Sequence, residues 1–111
     1  MRRIWLSALA LGLAACSQTP QEKQAEQLRD TADAQGDAIE AAAENQSARM
    51  EAEAEGLRNQ AGQGGGFEAQ RLKVRADALD REAELIEDQA EAQAKAIRDQ
   101  GRAKASALLA N

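Results

Sequence analysis

Small and apolar residues recur every eleven positions along most of this chain, and this spacing restricts the available folds more than any other feature. In the first half the repeat has three phases: Leu28, Ile39, Met50 and Ala61; Ala32, Ala43 and Ala54; and Ala25, Gly36 and Ser47. The second half has two: Ile86, Ile97 and Leu108, and Ala83, Ala94 and Ala105. Because eleven residues complete three helical turns, these phases share one face of a helix. The pattern predicts long helices with a narrow, alanine-rich contact face.

The composition after residue 15 excludes a conventional globular core. Residues 16–111 hold 12 Leu, Ile, Val and Phe among 96 residues, but they hold 23 alanines. The large apolar fraction is below the roughly 20% at which chains of high net charge become disordered, whereas alanine is the strongest helix former. We therefore expect an extended helical structure of marginal stability, for which a protein partner or self-association would provide further burial.

The first sixteen residues are typical of a bacterial export signal. Arg2 and Arg3 precede an apolar run over 4–15, which is shorter than the about 20 residues of a membrane span but suits a signal peptide. The run ends in Leu13-Ala14-Ala15-Cys16, which resembles the lipobox of bacterial lipoproteins at all four positions. The resemblance implies cleavage before Cys16, thioether attachment of diacylglycerol to it, and acylation of the new amino terminus by a fatty acid such as palmitate.

An ordinary secretory signal is the alternative interpretation of this segment. It would leave Cys16, the single cysteine of the chain, as an unpaired thiol in an oxidising compartment. Lipid attachment explains both the cysteine and its position, so we favour the lipoprotein interpretation.

The remainder divides into two helical segments around a glycine-rich turn. After a signal peptide at 1–15 and a lipidated tether at 16–20, we expect helix 1 at 21–61, a turn at 62–66 and helix 2 at 67–109. Thr19 and Glu22 match a capping box, with Pro20 at the first helical position. Four glycines in five residues cannot continue a helix without cost. Two segments of similar length predict an all-α antiparallel hairpin that resembles a coiled coil. The numbers of facing residues are expected to add up to about 129, which places Leu28 opposite Gly101 and large residues opposite small ones.

Neither catalysis nor nucleic-acid binding is expected. The chain has no His and no Tyr, and Cys16 is assigned to lipid, so most nucleophilic and acid–base arrangements are excluded. We predict no enzyme activity, no catalytic residue, no cofactor and no metal site. Residues 16–111 carry 12 basic and 19 acidic side chains, a net charge of −7, which opposes binding to nucleic acid.

These features together predict a lipid-anchored helical lipoprotein of the cell envelope with a structural or protein-interaction role. The signal, the helicity and the small apolar repeat are similar to Braun's lipoprotein, the major outer-membrane lipoprotein. That family ends in a Lys joined to peptidoglycan, whereas this chain ends in Leu108-Leu109-Ala110-Asn111, so we expect no covalent link to peptidoglycan. Ser17 after the lipidated cysteine predicts the outer membrane, facing the periplasm, with the inner membrane as the alternative.

Two other functions remain open from the sequence. A small accessory subunit of an envelope complex would suit a chain with so thin a core. An amphipathic lipid-binding protein would share the eleven-residue repeat, but it needs a broader apolar face with bulkier residues than this chain offers.

Overall fold

The computed structural model describes residues 18–110, which form two long helices. Helix α1 spans Pro20–Gln63 and helix α2 spans Gly66–Ala110. Contacts join Ser47 to Glu87 and Arg98 to Asp37, so the helices run antiparallel along their length. This confirms the predicted all-α helical hairpin. The signal peptide and the first two tether residues, Cys16 and Ser17, lie outside the described residues.

Helix α1 begins with the capping box predicted from the sequence. The backbone N–H of Glu22 donates to the Thr19 hydroxyl at 3.1 Å, and the Thr19 N–H donates to the Glu22 carboxylate at 3.4 Å. Pro20 occupies the start of the helix, where its missing N–H leaves no hydrogen bond unmade. These contacts satisfy donors that have no partner within the helix, and they fix where α1 starts.

The connection between the helices is shorter than the predicted turn at 62–66. Helix α1 continues through Gln63, and the Gly64 N–H donates to the Gln60 carbonyl at 3.2 Å. Gly64 and Gly65 alone lie between the helices, and Gly66 starts α2 with a φ of 71°. That left-handed conformation favours glycine, which has no Cβ. Gly62 remains helical because the continuing backbone ladder outweighs its low helix propensity.

The core consists entirely of small residues. In α1 the buried residues are Ala25, Ala32, Gly36, Ala43, Ser47, Ala54 and Ala61. In α2 they are Ala76, Ala83, Ala90, Ala94, Gly101 and Ala105. Larger side chains of the repeat, such as Ile39, Leu79 and Ile97, are half-buried along the edge of the contact. The small-residue phases predicted for the contact face are therefore buried in both helices, and Ala76, Ala90 and Gly101 of α2 are buried in addition to them.

The register differs from the predicted one by about one helical turn. A Cβ built on Gly101 would collide with the Cβ of Ala32, and the Ser47 hydroxyl meets the Glu87 carboxylate. Facing residue numbers thus add up to 133 or 134, not to about 129. The prediction placed large residues opposite small ones, with Leu28 facing Gly101. Instead, small residues meet small residues on the helix–helix axis, which lets the backbones approach closely, and the large residues pack beside them.

Glycines at the contact and on the surface should respond to alanine in opposite directions. We expect Gly101→Ala to lower the free energy of unfolding by about 1–3 kcal/mol, because the added methyl group forces the helices apart. Gly56→Ala should raise it by up to about 1 kcal/mol, since nothing lies within 4 Å of a Cβ at that position and alanine is the better helix former. Thermal unfolding followed by circular dichroism measures both. A rise in the melting temperature of Gly101→Ala would contradict the observed close approach.

Candidate functional site

The residue predicted to carry function, Cys16, lies outside the described residues. The described part starts at Gln18, and α1 begins at Pro20, four positions after Cys16. The surfaces of the hairpin are therefore the remaining candidates for interaction, and they consist of polar bridges beside the core and of exposed faces turned away from it.

Polar side chains bridge the helices at three levels spaced eleven residues apart. At the middle level the Ser47 hydroxyl donates to the Glu87 carboxylate at 2.6 Å. The level nearer the base of the hairpin is formed by Arg98, and the level nearer the turn by Arg58. Because each bridge joins groups far apart in sequence, the three together specify one register in a core that is otherwise uniform.

Arg98 forms the most shielded of these bridges. Its guanidinium passes over Gly36 and donates to Asp37 at 2.7 Å and to Glu40 at 2.9 Å, with only 22% of the side chain exposed. The hydrogen bond from Arg98 lowers the pKa of the Glu40 carboxyl, and the same contacts raise the pKa of Arg98. Glycine at position 36 leaves room for this arrangement, since a Cβ there would lie 2.7 Å from the Arg98 Nε atom and the arginine side chain would have to shift.

Arg58 repeats the same arrangement with the two helices exchanged. It donates to Asp77, at 2.9 Å, and to Asp80, which raises the pKa of Arg58. Asp77 and Asp80 occupy the positions of α2 that lie forty residues after Asp37 and Glu40. The hairpin therefore has an approximate two-fold axis at the Ser47–Glu87 contact, about which each position of α1 corresponds to the position forty residues later in α2.

The sequence carries this symmetry, which the eleven-residue phases alone do not reveal. Residues 37–61 and 77–101 are identical at 9 of 25 positions when aligned with an offset of forty. The shared residues include Asp-Ala at the start of each segment and Arg-x-Gln near its end. A self-comparison at longer offsets would have found the repeat, and it would also have predicted Arg58 and Arg98 as equivalent bridging residues.

An acidic groove lies beside the centre of the hairpin. Ala43 and Ala90 form its floor, and its walls are glutamates: Glu40, Glu44, Glu87 and Glu91. Two of these carboxylates already have partners, since Arg98 binds Glu40 and Ser47 binds Glu87. Within residues 18–110 no group of three or more acidic, His or Cys side chains is arranged to hold a metal ion. The groove is therefore a solvated edge of the helix contact.

The large apolar side chains that remain exposed all belong to α2 in the described part of the chain. Phe67 is 75% exposed, Val74 68%, Leu85 58% and Leu109 43%. The first three lie at intervals of seven and eleven residues and so share one side of the helix. The counterparts of these three residues forty positions earlier in α1 are small or polar: Gln27, Ala34 and Asn45. The two helices thus present similar inner faces but different outer faces.

Comparison with known proteins adds no relationship. No protein-family model matches the chain, and neither a curated protein nor a solved structure is significantly similar to it. In the part that the structure describes, neither helix has a stretch long and apolar enough to cross a membrane.

The Arg98 bridge should make the stability of the hairpin sensitive to acid. The pKa of Glu40 is lowered from 4.5 in the folded state, so its stabilising effect is present above about pH 5 and is lost as the pH falls through the folded-state pKa. We expect Arg98→Gln to reduce the fall in melting temperature between about pH 5 and pH 3. Arg75→Gln is the control, because Arg75 makes no ion pair within residues 18–110. An equal effect in both variants would argue against the bridge.

Proposed function

We propose that this chain is a lipoprotein of the bacterial cell envelope, held on a membrane by diacylglycerol on Cys16, with a structural or protein-interaction role. The observation that carries the proposal is the sequence Leu13-Ala14-Ala15-Cys16, which ends an apolar segment of signal-peptide length. Two or more acyl chains at one residue provide stable anchoring without a membrane-spanning helix. The described helices contain no such span.

The shape of the hairpin suits a spacer that projects from a membrane. The capping box starts α1 four residues after Cys16, so a lipid at Cys16 would hold the base of the hairpin at the bilayer surface. The 44 residues of α1 rise about 1.5 Å each, which places the glycine turn about 66 Å from the base. The acidic net charge and the narrow apolar face argue against a helix that lies flat on lipid. An accessory subunit of an envelope complex is the second candidate, and the exposed Phe67, Val74 and Leu85 favour it as a contact surface.

Lipid attachment is tested by replacing the cysteine. We expect the wild-type chain to incorporate a metabolic palmitate analogue and Cys16→Ser to lose the label, because no other residue can form the thioether. Ser17→Ala is the matched control and should retain the label. Incorporation of label into the Cys16→Ser protein would refute the proposed anchor.

Sorting is tested at the residue after the cysteine. Expressed in an enteric bacterium, the wild-type chain with Ser17 should fractionate with the outer membrane. Ser17→Asp should shift it to the inner membrane, because aspartate at this position resembles the retention signal of enteric lipoproteins. Separation of the membranes on a sucrose gradient, followed by immunoblotting, measures the distribution. Inner-membrane location of the wild-type protein would contradict the proposed outer-membrane site.

A further inference from the structure

A second apolar stripe runs along α2 on the side turned away from α1. Its members are all exposed and recur at intervals of seven and four residues, as the buried positions do: Phe67, Val74, Ala78, Leu85, Ala92, Ala96 and Ala103. At about 100° per residue, this outer stripe of α2 lies roughly 170° around the helix from the core positions. An apolar stripe on each of two sides is typical of a helix that contacts other helices on both.

The side of α1 turned away from α2 has the complementary shape. Between residues 34 and 59 its exposed residues carry no charge and no large side chain: Ala34, Ala38, Ala41, Asn45, Ala48, Ala52, Gly56 and Asn59. Gly56 is instructive among them, because nothing in the chain lies within 4 Å of a Cβ at that position. Packing within the hairpin therefore does not account for a helix-weakening glycine here, whereas close approach by another molecule does.

We propose that the outer stripe of α2 packs against this outer face of α1 in a second copy of the chain. The hairpins then stand side by side with their turns at the same level. Helix α2 of one copy lies antiparallel to α1 of the next copy, as it does to α1 of its own chain. The inner register of 133 to 134 carries over to the new contact. It places Ala78 opposite Gly56, Leu85 opposite Ala48, and Ala96 opposite Ala38, so Leu85, the large side chain among these pairs, meets a small residue.

Around Arg81, in the half of α2 nearer the turn, charge complementarity supports the same arrangement. One border of the outer face of α1 is acidic along its length, with Asp30, Asp33, Glu44, Glu51 and Glu55. The border of the α2 stripe on the same side of the hairpin carries charges of both signs, including Asp88 and Asp99. Among its bases, Arg81 makes no ion pair within residues 18–110. In the level arrangement Arg81 lies opposite Glu51 and Glu55 of the next copy, where an ion pair can form.

The inverted arrangement, with turns at opposite ends, fits less well. It would place Phe67 and Val74 of one copy against the base of α1 in the next. There the outward positions include Lys23, Gln27 and Asp30, and burial against apolar side chains would remove these polar groups from water.

The size of the contact is that of a reversible interface. A stripe about 54 Å long and about 10 Å wide covers roughly 550 Å² on each copy, below the about 800 Å² per partner of a standard stable complex. Because different faces meet, the contact is heterologous, and each copy leaves one face free for the next. The association therefore builds rows of hairpins. It goes beyond the proposed function and does not require the lipid.

Cysteine crosslinking tests the contact directly. The pair Ala48→Cys and Leu85→Cys lies on opposite sides of one hairpin, so a short bismaleimide can join them only between chains. In cell envelopes containing the full chain, we expect the double variant to give a ladder of dimers, trimers and larger species. Each single variant should give no ladder. Cys16 is present in the double variant and in both single variants, so any crosslink through Cys16 is the same in all three. The pair Ala38→Cys and Leu85→Cys reports the inverted arrangement and should give at least tenfold less product.

Variants of the contact separate association from folding. In the double-cysteine chain, Gly56→Leu should reduce the ladder at least tenfold without lowering the melting temperature of the hairpin, because leucine is the better helix former and meets nothing within the chain. Val74→Gln should reduce the ladder similarly. Leu109→Gln is the matched control, since it removes an exposed leucine outside the stripe, and should leave the ladder unchanged.

Several results would overturn the proposal. Dimers from Leu85→Cys alone would show that two α2 stripes meet instead. Absence of a ladder, or equal ladders with Gly56→Leu, would exclude the contact. Protection of Leu85→Cys from a water-soluble maleimide without any ladder would assign the stripe to lipid. Failure of palmitate labelling together with an intact ladder would refute the anchor and leave the association standing, so the two proposals are tested separately.

Discussion

The close approach of two helix backbones is the constraint on which this hairpin depends. Ala32 touches Gly101 so closely that no Cβ fits at position 101, and every buried residue of the described chain is Ala, Gly or Ser. A contact this thin removes little apolar area from water for each residue, so dispersion between close-packed backbones and alanine's helix preference must supply much of the stability. Large side chains could bury more area, but in the core they would separate the helices, which is why they lie along the edge.

A uniform small-residue core does not by itself choose a register. Alanine can face alanine at many offsets, and a slip by one turn changes little in the apolar contact. The bridges from Arg98 and Arg58, and the Ser47–Glu87 hydrogen bond between them, do discriminate, because a slip would separate all three donors from their acceptors. Exposed ion pairs contribute little to stability, so their effect here is mainly on specificity.

This division explains which features could be predicted from the sequence. The helices, the cap at Thr19 and the contact face follow from local propensity and periodicity, and the structure confirms them. The register could not be derived from large residues meeting small ones, since that rule ignores how closely Gly101 admits Ala32. The predicted turn is too long because it rests on the low helix propensity of glycine alone. The backbone hydrogen bonds of α1 continue the helix to Gln63 despite Gly62. Lipid attachment at Cys16 is inferred from a short sequence motif that processing enzymes recognise. Because Cys16 lies outside the described residues, it stays a prediction.

The internal repeat sharpens the question of what the outer faces do. If α1 and α2 contacted only each other, residues forty positions apart would have no reason to differ more on the outer faces than on the inner faces. Yet Arg58 and Arg98 match in identity and role, whereas Ala34 corresponds to Val74 and Asn45 to Leu85. Exposed large apolar residues on a helix gain nothing in water, and they raise the risk of aggregation. These exposed apolar residues lie on α2, whereas the outer face of α1 between residues 34 and 59 has neither large nor charged side chains. The inner faces of the two helices are therefore alike, but their outer faces form an asymmetric contact surface.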